Sequence, residues 1–271
     1  MRTPTGRQYL SLVSIALLTA ILMLTACKGE RKALESKGEG GNITQKGDPV
    51  INRGPVPGRS GTGSLQLLCR KAPGAVTVDG MVLEYGKADT LRLDDPADIP
   101  DPNRVKIYTL WDKKYLYIAF EVEDRFLTGF QTERDHRALY KDDMIEVLID
   151  PRRDATDLWL EDDIVYHINI LGQVKDDRGT PGGRSDALWQ SRALFAVRCE
   201  GTINDSTDLD RGYSVELAVP WDEIGLAPGP GVSLGIDFAS GDAEGPDEHL
   251  WDWCGANPFR QPSVYGKLVL Q

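Results

Sequence analysis

Residues 143–150 read DMIEVLID, and this stretch decides the fold. Ile145, Val147 and Ile149 occupy every second position, with Glu146 between the first two. A period of two residues is typical of a β-strand with two different faces, because successive side chains point to opposite sides. The stretch therefore predicts a strand whose apolar face lies in a core and whose other face carries a carboxylate.

The alternating stretch at residues 165–171 has the same pattern with other polar groups. Apolar residues at every second position alternate with His167 and Asn169. If the two strands are neighbours, Glu146, His167 and Asn169 lie on one surface, because a fixed register keeps the polar positions on the same face. A solvated sheet face is the alternative interpretation of these residues.

Similar short runs follow one another along the rest of the chain. Further strand candidates are residues 105–112, 115–122, 193–198, 213–219, 232–239 and 264–270. Turns rich in Gly and Pro occur at residues 180–183 and 228–231, and a short helical piece is predicted at residues 221–224. Many short strands with turns between them predict an all-β single domain at residues 66–271. The expected architecture is a two-layer antiparallel β-sandwich of the jelly-roll or immunoglobulin-like type.

Five blocks, taken in order, resemble the family 9 carbohydrate-binding modules over about residues 70–271. They are residues 76–80 (VTVDG), 105–112 with 115–120 (VKIYTLWD and YLYIAF), 143–150, 212–221 (GYSVELAVPW) and 265–268 (YGKL). The resemblance implies the same sandwich fold and a non-catalytic domain that binds saccharides.

The resemblance also implies a binding site. In sugar-binding members an aromatic residue precedes a strand whose Glu contacts the ligand, and Tyr140 and Glu146 stand at these positions. The next strand presents an Arg and an Asn two residues apart, here His167 and Asn169. A second aromatic lies in an Asn-x-aromatic-Arg-x-Pro segment, which NPFRQP at residues 257–262 matches. The residues expected to bind a ligand are Tyr140, Glu146, His167, Asn169, Asp237, Asn257, Phe259 and Arg260.

Tyr140 and Phe259 are expected to clamp a sugar ring while the polar side chains bind its hydroxyls. In the best-known sugar binders both platforms are tryptophan and the His167 position is arginine, which offers a bidentate donor. Those sugar binders also carry a polar amide on the penultimate strand, at the position that Ala239 occupies in this chain, although Asp237 is close in the sequence. These departures indicate a different or more weakly bound ligand at the same site.

Four of the tryptophans are candidates either for the core or for an aromatic platform. Trp111 and Trp221 lie inside the matched strand blocks and are expected in the core. Trp251 and Trp253 alternate, so they share a side and are candidates for an additional platform. Core packing or loop cover is the alternative for this second pair.

The N-terminal region is typical of an export and anchoring signal. Two arginines precede an apolar run at residues 10–24, and residues 24–27 read LTAC. This combination is typical of a secretory signal and resembles a bacterial lipobox, with an ordinary secretory peptide as the alternative. Residues 1–27 are predicted to be a lipoprotein signal peptide with Cys27 as the lipidation site, followed by a flexible linker at residues 28–65. Lys28 favours the outer membrane, so we expect a lipid-anchored protein of the cell envelope.

The formal net charge of −11 limits the classes of partner. Nucleic acids need a cationic footprint, so this charge argues against them. It fits a neutral ligand, or structural calcium at acidic clusters, for which solvated surface charge is the alternative. The clusters are residues 142–143, 161–163 and 176–177. In an oxidising compartment one disulfide is plausible among the remaining cysteines, with every pairing open: Cys69, Cys199 and Cys254.

No segment marks a catalytic site. The sequence has no nucleophile elbow, no zinc-protease motif and no phosphate loop, and no segment indicates the paired carboxylates of a glycosidase. We therefore expect a non-catalytic protein. Two other functions stay open: a structural or adhesive envelope lipoprotein that keeps the fold without binding sugar, and an accessory of a glycoside hydrolase in polysaccharide breakdown. Haem binding would need His167 with Met81 or Met144, and no CxxCH motif supports it.

Overall fold

The computed structural model describes residues 65–94, 102–243, 249–255 and 260–271. Within these ranges the chain forms strands and three short 3-10 helices, so the all-β prediction is confirmed. The strands are β1 (Gln66–Lys71), β2 (Thr90–Arg92), β3 (Arg104–Trp111), β4 (Tyr115–Glu123), β5 (Met144–Asp150), β6 (Ile164–Asn169), β7 (Val174–Thr180), β8 (Arg184–Asp186), β9 (Leu194–Glu200), β10 (Gly212–Pro220), β11 (Ser233–Asp242), β12 (His249–Asp252) and β13 (Gly266–Leu270). The 3-10 helices are Val82–Tyr85, Leu139–Lys141 and Pro262–Val264.

The short helix predicted at residues 221–224 is wrong. These residues form turns, in which the Glu223 amide donates to the Pro220 carbonyl and the Leu226 amide donates to the Trp221 carbonyl. Gly225 has a φ of 68°. A left-handed residue at this point ends helical geometry before a full turn can repeat.

The strands form one curled mixed sheet, a half-barrel, in the order β8-β7-β6-β5-β11-β13-β1-β3-β4-β10-β9. β12 pairs with β11, and β2 pairs with β3. The expected pair of wholly antiparallel layers is not formed, because β1 runs parallel to both β13 and β3 and joins the two parts. We call β5–β8 with β11 to β13 the β5 half, and β2 to β4 with β9 and β10 the β4 half.

The apolar faces of the two halves share one core. Ile145, Val147 and Ile149 are fully buried in the same cluster as Phe120 of β4. The Phe120 ring meets that of Phe238 from β11 edge-on, with centroids 6.0 Å apart. Each such side chain contributes about 1.5–3 kcal/mol when it is fully buried. The predicted apolar face of β5 is therefore confirmed, and it fixes the direction of the opposite, polar face.

The tryptophans predicted for the core lie there. Trp111 and Trp221 are buried in the main cluster. Trp251 and Trp253 belong to the same cluster, and the Trp253 ring lies 5.9 Å from that of Phe238. Their proposed use as an additional platform is wrong, because the register of β12 on β11 turns Trp251 toward the core side.

The expected disulfide is not formed. Cys69, Cys199 and Cys254 are free thiols on β1, on β9 and after β12. Burial raises the pKa of Cys69 to about 12 and that of Cys199 to about 11. These thiols therefore behave as small apolar core residues rather than as cross-links.

The predicted signal peptide with Cys27 and nearly all of the linker lie outside the described residues. Both remain predictions, as do the domain boundaries. No helix in the described ranges is long and apolar enough to cross a membrane.

Candidate functional site

The polar residues of β5, β6 and β7 form one row across the outer face of the β5 half. Glu146 lies opposite His167, and His167 lies opposite Lys175. The neighbours of Lys175 and His167 along the strands, Val174 and Ile168, belong to the core. The row therefore points away from the core. β5 and β6 are adjacent, which is the condition under which the alternation predicted that Glu146 and His167 share a surface.

Glu146 and His167 are joined by a buried hydrogen bond. The Glu146 Oε1 atom lies 2.5 Å from His167 Nδ1, and the two residues are 2% and 7% exposed. Glu146 Oε2 and His167 Nε2 are buried without a hydrogen-bond partner in the described part of the chain. A buried polar atom left unpaired costs about 1–3 kcal/mol. Two such atoms on a hydrogen-bonded pair of side chains are candidate partners for an external hydrogen-bonding group.

Asn169 fastens the segment that precedes β5. Its amide group donates to the Gln131 carbonyl and to Asp142 Oδ2, both at 2.8 Å. Its amide oxygen accepts from the Gln173 backbone at 2.7 Å. Asn169 is fully buried, so in this conformation its hydrogen bonds are used within the protein, and it holds the loop beside the site.

Tyr140 lies in the 3-10 helix Leu139–Lys141, which packs against β6 and β11. Its side chain is partly exposed, and Lys141 Nζ lies 5.9 Å from the ring centroid. The adjacent Asp142 accepts hydrogen bonds from both Asn169 and the Gln131 amide. The aromatic side chain is thus attached to a rigidly held turn next to the polar row.

Arg260 is fixed at the β7 edge of the same face. Its guanidinium donates to Asp177 Oδ2 at 2.7 Å and to Ser185 Oγ at 3.0 Å. It also stacks on Trp159, with its central carbon 4.7 Å from the ring centroid. Arg260 adopts a φ of 68°, which is unusual for a residue with a side chain. The side chain predicted to bind a ligand therefore also anchors the segment that contains it.

Lys175 and Asp177 also lie on this face, and neither is among the ligand-binding residues expected from the sequence. Lys175 Nζ donates to Asp177 Oδ2 at 2.5 Å. Burial opposes ionisation of Asp177, but the charges of Arg260 and Lys175 outweigh it and lower the pKa of this carboxyl. The stretch VKDDRGT at residues 174–180 contains four charged residues in succession, which hid its two-residue period.

Asp237 of β11 is another buried carboxyl whose hydrogen bonds are incomplete. One oxygen accepts from the Cys254 amide at 3.0 Å and from the Phe238 amide at 2.8 Å. The other has no hydrogen-bond partner in the described ranges. Burial and then the charge of Asp252 raise the pKa of Asp237 to about 8. A protonated carboxyl both donates and accepts hydrogen bonds, as does the amide that sugar-binding members carry at the position of Ala239.

Two of the predicted site residues, Asn257 and Phe259, lie outside the described residues. The described part of the chain thus brings Glu146, His167 and Arg260 onto one face. Tyr140 and Asn169 lie at its border.

A separate acidic cluster lies where β5 ends and β6 begins. One carboxylate oxygen from each of Asp150, Asp162 and Asp163 lies within 4.8 Å of the others. All three residues are buried, and four of their oxygens have no hydrogen-bond partner among the described residues. Burial and the neighbouring carboxylates raise the pKa of Asp163 to about 8. Clustered hard oxygen donors suit calcium.

The two other acidic clusters are occupied by protein hydrogen bonds. Asp143 accepts from the Thr128 and Ala243 amides. Asp176 pairs with Arg134 at 2.7 Å. Residues 161–163 are therefore the cluster best suited to an ion.

Comparison with known proteins assigns the fold. Residues 87–271 match the model of the carbohydrate family 9 binding domain-like family. The xylanase C of Paenibacillus barcinonensis is 28% identical over 202 residues, which are 73% of this chain and 16% of the relative. The exoglucanase XynX of Acetivibrio thermocellus is 24% identical over 200 residues, again 73% and 16%. The chain thus matches only a small part of these curated relatives.

Solved structures show the same architecture. A family 9 carbohydrate-binding module of Caldicellulosiruptor kristjanssonii, in complex with cellotriose, has a TM-score of 0.59 and 20% identity, covering 76% of this chain and 93% of that one. A carbohydrate-binding protein of Bacteroides uniformis, described as putative, has a TM-score of 0.59 and 14% identity, covering 77% and 100%. At these identities the likeness shows a shared fold. The family match, which covers most of the chain, shows more: the chain belongs to the carbohydrate family 9 binding domain-like family.

Proposed function

We propose that this chain is a non-catalytic protein that binds saccharides on the outer face of the β5 half. The observation that carries the proposal is the pair of buried atoms Glu146 Oε2 and His167 Nε2, which have no hydrogen-bond partner among the described residues. Saccharides present many hydroxyls, each of which both donates and accepts. The proposal is also supported by the neighbours of this fold that were crystallised with cellotriose and with glucose.

The chemistry of the pair suits a hydroxyl. When the neutral imidazole donates its Nδ1 proton to Glu146, its Nε2 lone pair is an acceptor. The free carboxylate oxygen is a second acceptor. A sugar with two neighbouring hydroxyls satisfies both atoms at once, and Asp237 adds a group that can donate.

Aromatic contact completes the proposed site. We assign Tyr140 and Phe259 as the two faces of a clamp, with Asn257 and Arg260 beside them. Apolar C–H faces of a sugar pack on aromatic rings, and a desolvated aromatic anchor contributes about 1–3 kcal/mol of binding. Tyr140→Ala and Phe259→Ala should therefore weaken binding about 5- to 150-fold, without lowering the melting temperature much.

A glycan array with the full chain, followed by calorimetry on the best sugar, tests the proposal. Glucose and cellotriose are the first probes. Glu146→Gln and His167→Ala should each lose at least tenfold in affinity, because they remove an acceptor from the pair. Glu123→Gln, at an exposed carboxylate of β4, is the matched control and should bind normally. Equal affinity in all four proteins would overturn the assignment of the site.

The array also separates the other functions. A well-folded chain that binds no sugar would favour a structural or adhesive role. Release of smaller sugars from an oligosaccharide would contradict a non-catalytic protein. An accessory role beside a glycoside hydrolase is supported by the names of the relatives, which are xylanases and an exoglucanase.

For the location, we propose a lipid anchor at Cys27 and a tether at residues 28–65, which hold the domain at the outer membrane of the cell envelope. The LTAC motif after a charged start and an apolar run supports it. Two or more acyl chains suffice to hold a protein at a membrane without a span. Cys27→Ser should move the protein from the membrane to the soluble fraction, and retention in the membrane would exclude this anchor.

We also propose that Asp150, Asp162 and Asp163 hold a structural calcium ion. Three buried carboxylates repel one another, and a divalent cation removes that repulsion. The exposed Arg152, 3.5 Å from Asp162, offers a single positive charge in its place. The ion would join the end of β5 to the start of β6, and thus stabilise the two strands of the proposed site.

A further inference from the structure

Lys175 extends the polar row by one strand. Its direct cross-strand neighbour is His167, whose own neighbour on the other side is Glu146. Adjacent strands are about 4.8 Å apart, so the row from Glu146 to Lys175 spans about 10 Å. A single sugar ring with one substituent fits along such a row. Lys175 is therefore in a position to contact the substituent at the end of the sugar ring.

Lys175 can bind a ligand without leaving a buried charge unpaired. Its side chain is 22% exposed, and its acidic partner Asp177 is 2% exposed. Asp177 is also bound by Arg260 at 2.7 Å, so one carboxylate faces two cations. If Lys175 turns to a ligand, Asp177 keeps its bond to Arg260 and no buried charge is left unpaired. Among Lys175, Asp177 and Arg260, two cations thus share one carboxylate, which leaves one positive charge unbalanced.

The opposite edge of the face carries acidic groups instead. Asp237 of β11 and Asp252 of β12 are buried acids, and the charge of Asp252 contributes to the raised pKa of Asp237. A ligand with a negative group is therefore disfavoured at the β11 edge and favoured at the β7 edge. This asymmetry orients an acidic ligand with its charge toward Lys175.

We propose that Lys175 is a specificity-determining residue that selects saccharides with a carboxylate on the ring, namely uronic acids. The inference rests on the proposed function of the face, because Glu146 and His167 bind the hydroxyls of the same ring. The Lys175 ammonium donates a charge-assisted hydrogen bond to the ligand carboxylate. Neutral sugars bind the row without this contact, and bind more weakly.

Three probes that differ at one carbon test the inference by calorimetry on the full chain. They are glucuronic acid, its methyl ester and glucose. The wild type should bind glucuronic acid about tenfold more tightly than the ester, as expected for one charged hydrogen bond that is partly exposed. The preference should shrink when salt is raised to about 0.5 M, because the contact is not fully buried.

Variants assign the preference to the residue. Lys175→Met should lose the preference for the acid, so that the three probes bind with similar affinity, and Lys175→Arg should keep the preference. Lys113→Met, at an exposed lysine in the turn between β3 and β4, is the matched control. Melting curves should show that each variant is folded.

The outcomes separate the two claims. Glucose binding without any preference for the acid, or a preference that survives in Lys175→Met, overturns the role of Lys175 and leaves the proposed function in place. No binding of any probe to the folded wild type overturns both.

Discussion

The two halves of the sheet bury a glutamate at similar depth on their outer faces, but they treat it differently. In the β4 half, Glu216 Oε2 accepts hydrogen bonds from the amides of Asp79 and Gly80, both at 2.8 Å. In the β5 half, Glu146 bonds the His167 ring. Each glutamate keeps one oxygen without a hydrogen-bond partner in the described ranges, but only the partner of Glu146 is itself a side chain with a second unpaired polar atom, His167 Nε2. Glu216 thus completes a contact to backbone amides, whereas Glu146 and His167 together offer two unpaired polar atoms to a ligand.

The two halves differ in what lies over their outer faces. Residues 76–85 lie over the outer face of the β4 half, where Val76, Val78 and Val82 pack against the buried cluster that contains Tyr117. Charged and aromatic groups lie around the outer face of the β5 half, among them Arg260, Lys175 and Tyr140. A similar alternation of apolar and polar residues therefore produces a closed face in one half and a candidate binding face in the other.

The largest effect is expected from breaking what the two halves share. Trp111 is a core residue at the end of β3, and its indole nitrogen donates to the Gln271 carbonyl at 2.9 Å. Trp111→Ala should cost about 3–5 kcal/mol of stability, as for other buried aromatics. The free energy of unfolding, measured with urea, checks this. A stable Trp111→Ala protein that has lost its sugar binding would show that Trp111 belongs to the site instead.

A chelator should act on one half more than the other. If calcium occupies the cluster of Asp150, Asp162 and Asp163, a concentration 100 times the dissociation constant stabilises the fold by about 2.7 kcal/mol. Excess chelator should then lower the melting temperature and speed hydrogen exchange in β5 and β6 before β4 and β10.

Two variants control the chelator experiment. Asp162→Asn should melt early and ignore the chelator, whereas Asp222→Asn, at an exposed carboxylate, should respond like the wild type. A melting temperature that does not change with calcium or chelator would show that calcium does not stabilise this fold.

The direct test of the comparison is a matched pair of substitutions. Glu216→Ala removes two hydrogen bonds to buried or partly buried amides and should destabilise the fold by about 2 kcal/mol without changing its affinity for sugar. Glu146→Ala should cost less stability, because within the described residues Glu146 makes one hydrogen bond where Glu216 makes two, and it should abolish most sugar binding. Urea unfolding and calorimetry on both proteins decide this. The reverse result, with Glu216→Ala losing the sugar, would place the site on the β4 half.

Much of the β5 half could be predicted from its sequence. The period of two residues in DMIEVLID and in residues 165–171 indicated which side chains face the core. It also predicted that Glu146 and His167 share a surface if the two strands are neighbours, as they are. Local alternation suffices there because it depends only on neighbouring residues.

Strand direction and site chemistry could not be predicted in the same way. The parallel pairing of β1 with β13 joins residues about 200 positions apart, which no local pattern reports. Asn169 is polar and on the predicted strand, but its bonds to Gln131 and Asp142 depend on how the preceding loop folds. Lys175 could not be assigned to the polar face from the sequence, because the consecutive charges of residues 175–178 obscure the two-residue period of the strand.

The smallest effect concerns the acidic edge of the β5 half. Burial and the charge of Asp252 raise the pKa of Asp237 to about 8 from an ordinary value of 3.8. Between these two values the folded protein keeps a proton that the unfolded chain releases, so stability falls as the pH rises through this window. Asp237→Asn cannot ionise and should melt with a weaker pH dependence. Melting temperatures at about pH 5 and about pH 8 measure the difference. Because the variant and the wild type share every other titrating group, a common slope would mean that Asp237 stays ionised in the fold, and the acidic edge would then repel an acidic ligand across the whole range.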